Sequence, residues 1–248
     1  MQAVHRVLDP AAGATVEKNL CALAVMTKAP RAGSVKTRLV PPLSPQEAAQ
    51  LNICFLRDTA AAIANASGAR ARGVGVYTPL GVEAVYADIL PAEFYLIPQR
   101  GDDFGARLAF ATEDLFRCGF GSVCLIDSDS PTVSAEAYAK AVEFLSKPNN
   151  RVVLGPSDDG GYYLIGMKRS RPELFERIDW STERVLEQTK ERARELNLDV
   201  SVLPTGYDVD DAATLRRLCD ELLSDKTTGD IAPNTRKFLA ALTAQKKL

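Results

Sequence analysis

The chain has 248 residues, 46% of them apolar and 25% charged, with a formal net charge of −2 and one histidine, His5. This length and composition belong to an ordinary globular fold with room for a large core, not to a disordered chain. The near-neutral charge excludes a global field that recruits nucleic acid, and a lone histidine argues against a histidine base or a histidine-built zinc site.

No run of about 18 apolar residues occurs, so no segment reads as a membrane span. Residues 1–19 lack the apolar core of a secretory signal and are expected to form a loose extension ahead of a single domain, 20–248. Cys21, Cys54, Cys118, Cys124 and Cys219 are odd in number and widely spaced, with no Cys-x-x-Cys pair. They read as buried free thiols of a cytoplasmic protein.

Leu20 to Met26 is an apolar run that predicts a first buried strand. It feeds a loop, 27–38, that carries Lys28, Arg31, Lys36 and Arg38 around Pro30 and Gly33. A loop between a strand and a helix can surround phosphates with amides while its cations neutralise them. It is not a P-loop, because Val35 stands before Lys36-Thr37, and no Gly-x-Gly-x-x-Gly occurs. A helix is expected from Pro45, with Ser44 as N-cap and Glu47 in its first turn.

A second strand is expected at 72–77, a short helix near 82–89 and a third strand at 94–98. The polar loop 99–105 then opens a helix marked by Phe104, Leu108, Ala111 and Leu115. The run Val123 to Ile126 predicts a strand that ends abruptly in Asp127-Ser128-Asp129. A helix runs from Ser134 to about Leu145, and strands are expected at 151–155 and 162–167 around the turn Pro156–Gly161. A charged helix follows at about 182–196, then a strand at 199–203, the run Tyr207–Asp211, a helix with Leu215, Leu218, Cys219 and Leu222 on one face, and a weaker helix at 234–244. Alternating strands and helices imply an α/β fold with a mostly parallel sheet covered on both faces.

Asp127, Asp129, Asp158, Asp159, Asp208 and Asp210 each follow an expected strand, so all would reach one edge of the sheet, where ligands of open α/β sheets bind. Carboxylates there suit Mg²⁺ or Mn²⁺, hard cations that share oxygen ligands with substrate phosphates. Plain structural readings stand beside these. Asp208 and Asp210 could cap the following helix, and Asp158-Asp159-Gly160-Gly161 could be a simple hairpin turn. Trp180 is core, or a surface on which a base or sugar stacks.

The motifs Lys28-Ala29-Pro30-x-x-Gly33-x-x-Lys36-Thr37-Arg38-Leu39, Asp103-Phe104-Gly105-x-Arg107-Leu108, Ser128-Asp129-Ser130-Pro131, Gly155-Pro156-x-x-Asp159-Gly160-Gly161-Tyr162, Trp180-Ser181-Thr182 and Asp208-Val209-Asp210 occur in this order. As an ordered set over roughly residues 20–224 they resemble a bacterial family assigned as glycosyltransferases with the nucleotide-diphospho-sugar transferase fold. Some of its members are assigned to arsenosugar biosynthesis. The resemblance implies a glycosyltransferase-A-like fold, mostly parallel but mixed, and transfer of a sugar from a nucleotide diphosphate donor to an acceptor of unknown identity. It places Asp129 and Asp210 on the metal, with Asp127 a looser third ligand because relatives often carry glycine there. It places Lys28, Gly33, Lys36, Arg38 and Arg107 on the nucleotide and its phosphates. For inverting transfer, Asp159 is the expected base and Asp158 the second choice, since the double glycine would leave space for substrate beside it. Two other functions stay open: nucleotidyl transfer from a nucleoside triphosphate, as in a phospholactate guanylyltransferase, and nucleotide-sugar binding without catalysis. Against nucleotidyl transfer, the first loop lacks Gly-x-Gly-Thr-Arg.

Overall fold

The structure is a computed structural model that describes residues 5–224 and 230–245. Its centre is an eight-stranded sheet: β1 (Arg6–Val7), β2 (Cys21–Lys28), β3 (Ala71–Thr78), β4 (Tyr95–Pro98), β5 (Ser122–Ile126), β6 (Arg151–Pro156), β7 (Tyr162–Met167) and β8 (Asp199–Val202), in the spatial order β1-β4-β3-β2-β5-β7-β6-β8. Only β7 runs antiparallel to its two neighbours, β5 and β6; all other pairs are parallel. The fold is therefore α/β with a mostly parallel, mixed sheet.

Among the described residues six α-helices complete it: α1 (Pro45–Ser67), α2 (Phe104–Arg117), α3 (Ala135–Ser146), α4 (Val185–Glu195), α5 (Ala212–Leu222) and α6 (Pro233–Ala244). Strand periodicity sorts them into layers, because successive side chains point to opposite faces. From β2, Cys21, Leu23 and Val25 pack with Leu56 and Ile63 of α1 and Tyr138 and Leu145 of α3. Ala22 and Ala24 face the other way, toward Leu108 and Leu115 of α2 and Ala193 of α4. A third apolar cluster joins the far side of α1, through Leu51 and Phe55, to α5 and α6.

Local chemistry explains most element starts. Ser44 and Glu47 form a reciprocal capping box with Pro45 at the first position of α1. Asp103 caps α2 by accepting from the Ala106 amide at 2.7 Å. The start of α6 is held from outside, since the buried Asp58 of α1 accepts from the amides of Asn234 and Thr235 at 3.0 and 2.8 Å. That support offsets its poor intrinsic N-cap, Ala232.

Three expectations change. Of the segment expected to be loose, residues 1–4 lie outside the described residues and residues 5–8 are docked: Arg6–Val7 adds an edge strand beside Tyr95–Leu96, Leu8 is buried, and the buried His5 ring reaches the carbonyls of Phe94 and Tyr86. The short helix near 82–89 is a 3₁₀ stretch, Glu83–Asp88. The helix expected from residue 182 begins at Val185; just before it the Glu183 backbone packs against Gly160 of the turn after β6, and the Leu186 amide donates to Gly160 O at 2.9 Å.

Close packing sets one strict residue choice. A Cβ on Gly73 of β3 would lie 2.1 Å from the Phe94 ring. Gly73→Ala should destabilise the protein by about 1–3 kcal/mol, the usual range for overpacking. Thermal denaturation should register this as a drop of about 2–4 °C per kcal/mol for a chain of this size.

Candidate functional site

All the loops carrying the expected site residues leave the same sheet edge. The basic loop follows β2, the Asp127–Asp129 turn follows β5, the 157–161 turn joins β6 to β7, and residues 203–211 follow β8. The antiparallel β7 starts where the parallel strands end, so its entry turn joins the same edge. The chain passes from β2 to β3 on one side and later places β5 on the other, which opens a crevice of the kind that holds ligands in α/β sheets. Backbone bonds fix the pieces: the Val209 amide donates to Asp129 O at 2.9 Å, Asp127 N to Tyr163 O at 2.9 Å, and Asp158 N to Gly206 O at 3.1 Å.

Lys36 is the junction. Its Nζ contacts Asp129 Oδ1 at 2.8 Å and Asp210 Oδ1 at 2.9 Å, and donates to the Val209 carbonyl at 2.7 Å. The side chain is 4% exposed and lies over the Phe55 ring. Burial works against its charge, but the two carboxylates outweigh that and hold it above the usual lysine range. Its backbone is left-handed, with φ of 49°. That conformation costs a non-glycine residue about 1–2 kcal/mol, and strain of this kind concentrates where function demands a position.

Asp129 and Asp210 thus converge on a single cation, at present the protein's own ammonium. Asp210 is free to do so because Asp211, not Asp208 or Asp210, caps α5, accepting from the Ala213 and Thr214 amides. Two hard carboxylates closing on one point fit Mg²⁺ or Mn²⁺ shared with substrate phosphates, since magnesium keeps few protein ligands. They do not fit a cation caged by protein alone. Among the described residues no group of three or more His, Cys, Asp or Glu is arranged to hold a metal.

Asp127 is not part of this convergence. Its Oδ2 accepts from Ser130 Oγ at 2.7 Å and its Oδ1 faces the Asp129 amide at 3.4 Å. Burial, then the charge of Asp129, pushes its carboxyl well above the usual range. Both of its carboxyl oxygens are thus engaged within its own turn and not aimed at the Lys36 junction.

Two cavities that share lining residues flank the junction. The smaller, about 250 Å³, is lined by Lys28, Ser34–Arg38, Asn52, Ser128, Asp129 and Asp210. Lys28 and Arg38 are exposed there, and Gly33, with φ of 74°, turns the loop beside them. Asn52 was not foreseen. It is 4% exposed and its Oδ1 has no partner. A polar residue within the apolar stripe of α1 was the available signal. The larger cavity, about 480 Å³, shares Arg38, Ser128, Asp129 and Asp210 with the first. It adds Asp159, Asp208, Tyr162, Tyr163, Phe104, Leu108, Trp180 and Glu183.

The remaining expected residues divide. Asp159 lines the larger cavity, its Oδ1 accepting from the Gly161 amide at 2.8 Å. Asp158 turns away to Arg217. The double glycine opens no space of its own, and Asp159 is reached from the larger cavity. Gly160 has φ of 91°, and a Cβ there would lie 2.2 Å from Glu183 O, so the 180–186 segment fills that space. Arg107 is exposed, donates to Gly101 O at 3.2 Å, and lines neither cavity. Asp208 accepts from Ser157 Oγ at 3.1 Å. Burial first, then Asp159 and Asp210, raise its carboxyl above the usual range. Trp180 is neither simple core nor fully open: it is half-buried, with Phe104 edge-on at 5.0 Å.

Removing Lys36 should leave Asp129 and Asp210 uncompensated. Lys36→Ala should destabilise the metal-free protein by about 1–3 kcal/mol, less than the 3–5 of a fully buried pair because both carboxylates are partly exposed. Thermal melts should show Mn²⁺ restoring more stability to this variant than to the unaltered protein. Equal responses would mean that the two carboxylates do not form a cation site.

Comparisons with known proteins agree with this architecture. A protein from Desulfovibrio desulfuricans G20, described as a "putative nucleotide-diphospho-sugar transferase", superposes with a TM-score of 0.80 and 28% identity over 92% of this chain and 96% of its own. A CMP:2-keto-3-deoxy-manno-octonic acid synthetase in complex with CTP shares the fold, with a TM-score of 0.52 and 10% identity over 92% and 99% of the chains. So does the 4-diphosphocytidyl-2C-methyl-D-erythritol synthase of Anaerococcus prevotii DSM 20548, with a TM-score of 0.51 and 12% identity over 81% and 97%. The search of curated proteins gives no match. The family described as "Uncharacterized protein conserved in bacteria (DUF2064)" matches residues 44–182, more than half of the sequence, and the chain belongs to that family.

Proposed function

We propose that this protein transfers a sugar from a nucleotide diphosphate sugar to a hydroxyl acceptor, with Mg²⁺ or Mn²⁺ shared between Asp129, Asp210 and the donor diphosphate. The observation that carries this reading is the junction itself. Two carboxylates converge on one cation, with a basic cavity on one side and an acidic, aromatic cavity on the other. The 28% identity to the Desulfovibrio protein along almost the whole chain supports it.

When bound, the divalent cation supplies Lewis-acid stabilisation of the charge that develops on the departing diphosphate. The protein's own residues do the rest. Lys28 and Arg38 bind and orient the diphosphate, and loop amides near Gly33 add dipoles. Lys36, once relieved of its carboxylates, is a third cation for the same phosphates. In inverting transfer, the acceptor oxygen bonds to the anomeric carbon as the bond from that carbon to the diphosphate oxygen breaks. The electron pair leaves with the diphosphate, and the hydroxyl proton passes to Asp159.

The second reading, nucleotidyl transfer from a nucleoside triphosphate, draws on the fold shared with the CTP-bound synthetase. It is disfavoured by the first loop, in which the strand-proximal turn reads Lys28-Ala29-Pro30 instead of a glycine-rich phosphate cradle. Product analysis separates the two. Incubation with nucleotide sugars and Mn²⁺ should release nucleoside diphosphate, whereas pyrophosphate from a triphosphate would favour the alternative. Asp159→Asn should lower turnover by about 10²–10⁴-fold, the span of a lost general base, while nucleotide binding persists. Unchanged turnover would remove that role from Asp159. Nucleotide-sugar binding with neither product would point to a non-catalytic binding protein.

A further inference from the structure

We propose that the acceptor is an uncharged or cationic polyhydroxylated ring that rests an apolar face on the Phe104–Trp180 pair, and that phosphorylated or carboxylated acceptors are excluded. This rests on the transfer reading above and names the chemistry of its second substrate.

The larger cavity is chemically one-sided. Its charged lining is Asp127, Asp129, Asp159, Glu183, Asp208 and Asp210, against Arg38 alone. Lys36 answers Asp129 and Asp210, and Asp127 is folded into its own turn. Asp159, Glu183 and Asp208 remain, and among the described residues none of them forms an ion pair with a lysine or arginine. An ionised carboxylate only accepts hydrogen bonds. A ligand that satisfies these three must therefore bring donors, either hydroxyl or ammonium groups. An anionic ligand would bring acceptors to acceptors and like charge to like charge. This is selection by repulsion as well as by fit.

The other wall is aromatic. Phe104 is 53% exposed at the start of α2, an unusual place to leave a phenyl ring. Trp180 meets it edge-on, with 5.0 Å between centroids and 77° between planes. The indole is held by close packing, since a Cβ on Gly105 would lie 2.7 Å from Trp180 Nε1. Leu108, Met26 and Ile165 continue the apolar side. A preformed cavity with apolar walls and a few convergent polar groups is the form of a small-molecule site. A sugar-like ring presents an apolar C–H face to the aromatics and hydroxyls to the carboxylates at once. An amino group adds attraction to the aromatic face. One ring hydroxyl directed at Asp159 is then placed to give up its proton as its oxygen bonds to the anomeric carbon.

Trp180 is the only tryptophan, so its emission reports on this cavity alone. The test titrates the full-length protein, with Mn²⁺ and each of UDP, GDP, ADP and CDP in turn. The probes are methyl glycosides of glucose, galactose, mannose and ribose, with glucosamine and galactosamine. Their anionic counterparts are glucose 6-phosphate, ribose 5-phosphate and glucuronate. At least one neutral or amino probe should change Trp180 emission, with an apparent Kd ten-fold or more below that of the anionic members. Phe104→Ala, checked as folded by its melting curve, should weaken that probe ten-fold or more. Equal or tighter binding of anionic probes, silence from every neutral and amino probe, or an unaffected Phe104→Ala variant would overturn the inference. Nucleotide-dependent stabilisation persisting through such a failure would leave the transfer reading standing, and its absence would remove both.

Discussion

One ammonium group organises the edge of the sheet at which the acidic and basic loops meet. Lys36 bonds to the loop after β5 through Asp129 and to the segment after β8 through Asp210 and the Val209 carbonyl. These stretches are far apart in sequence and meet at one nitrogen. The electrostatic logic is simple. Two carboxylates this close repel each other unless a cation lies between them, and in a partly buried setting that repulsion is screened less than in water. The same demand makes the position exchangeable. A divalent cation can replace the lysine only if the displaced ammonium finds another anion, and a diphosphate beside Lys28 and Arg38 is such an anion. Under the proposed function, metal and donor would therefore enter as a pair, because each offsets the charge imbalance that the other leaves.

The rest of the site divides by sign of charge around that point. Positive groups lie on the β2 side, where the small cavity is lined by Lys28, Lys36 and Arg38. Negative groups lie on the β6–β8 side, where Asp159, Glu183 and Asp208 face the larger cavity. The single antiparallel strand, β7, produces this division. By running back from the ligand edge, it lets the 157–161 turn and the aromatic Tyr162 and Tyr163 enter the cleft from the same side as the parallel loops. In the proposed reaction a polyanionic donor and a hydrogen-bond-donating acceptor would meet across a neutralised junction.

Much of this was legible in sequence. Buried parallel strands announce themselves as short apolar runs, so β2, β5 and β6 could be placed, and with them the shared edge that gathers the acids. The capping chemistry of Ser44, Pro45 and Glu47 is local and was equally readable. What escaped depends on contacts distant in sequence. Residues 5–8 have too little local pattern to reveal that they extend the sheet. Nothing in Asp208-Val209-Asp210-Asp211 says which acid caps α5; the answer follows from Asp211 alone holding the N-cap geometry. Gly160-Gly161 looked like room for a substrate, yet Glu183 occupies the space beside Gly160. Asn52, Phe104 and the loss of Arg107 from the site likewise depend on tertiary placement that composition and spacing do not encode.

The proposed function depends on Asp129 and Asp210 forming a cation site completed by a nucleotide diphosphate. The most direct test is the thermal stability of the protein with nucleoside diphosphates, triphosphates and nucleotide sugars, each with Mn²⁺ and with EDTA, in parallel with Asp129→Ala. Ligand binding to the native state stabilises by about 2.7 kcal/mol at a hundredfold excess over Kd. Tm should rise with at least one nucleotide diphosphate sugar, and the rise should require Mn²⁺ and vanish in Asp129→Ala. A rise that survives EDTA and the substitution, or no rise with any nucleotide, would contradict it.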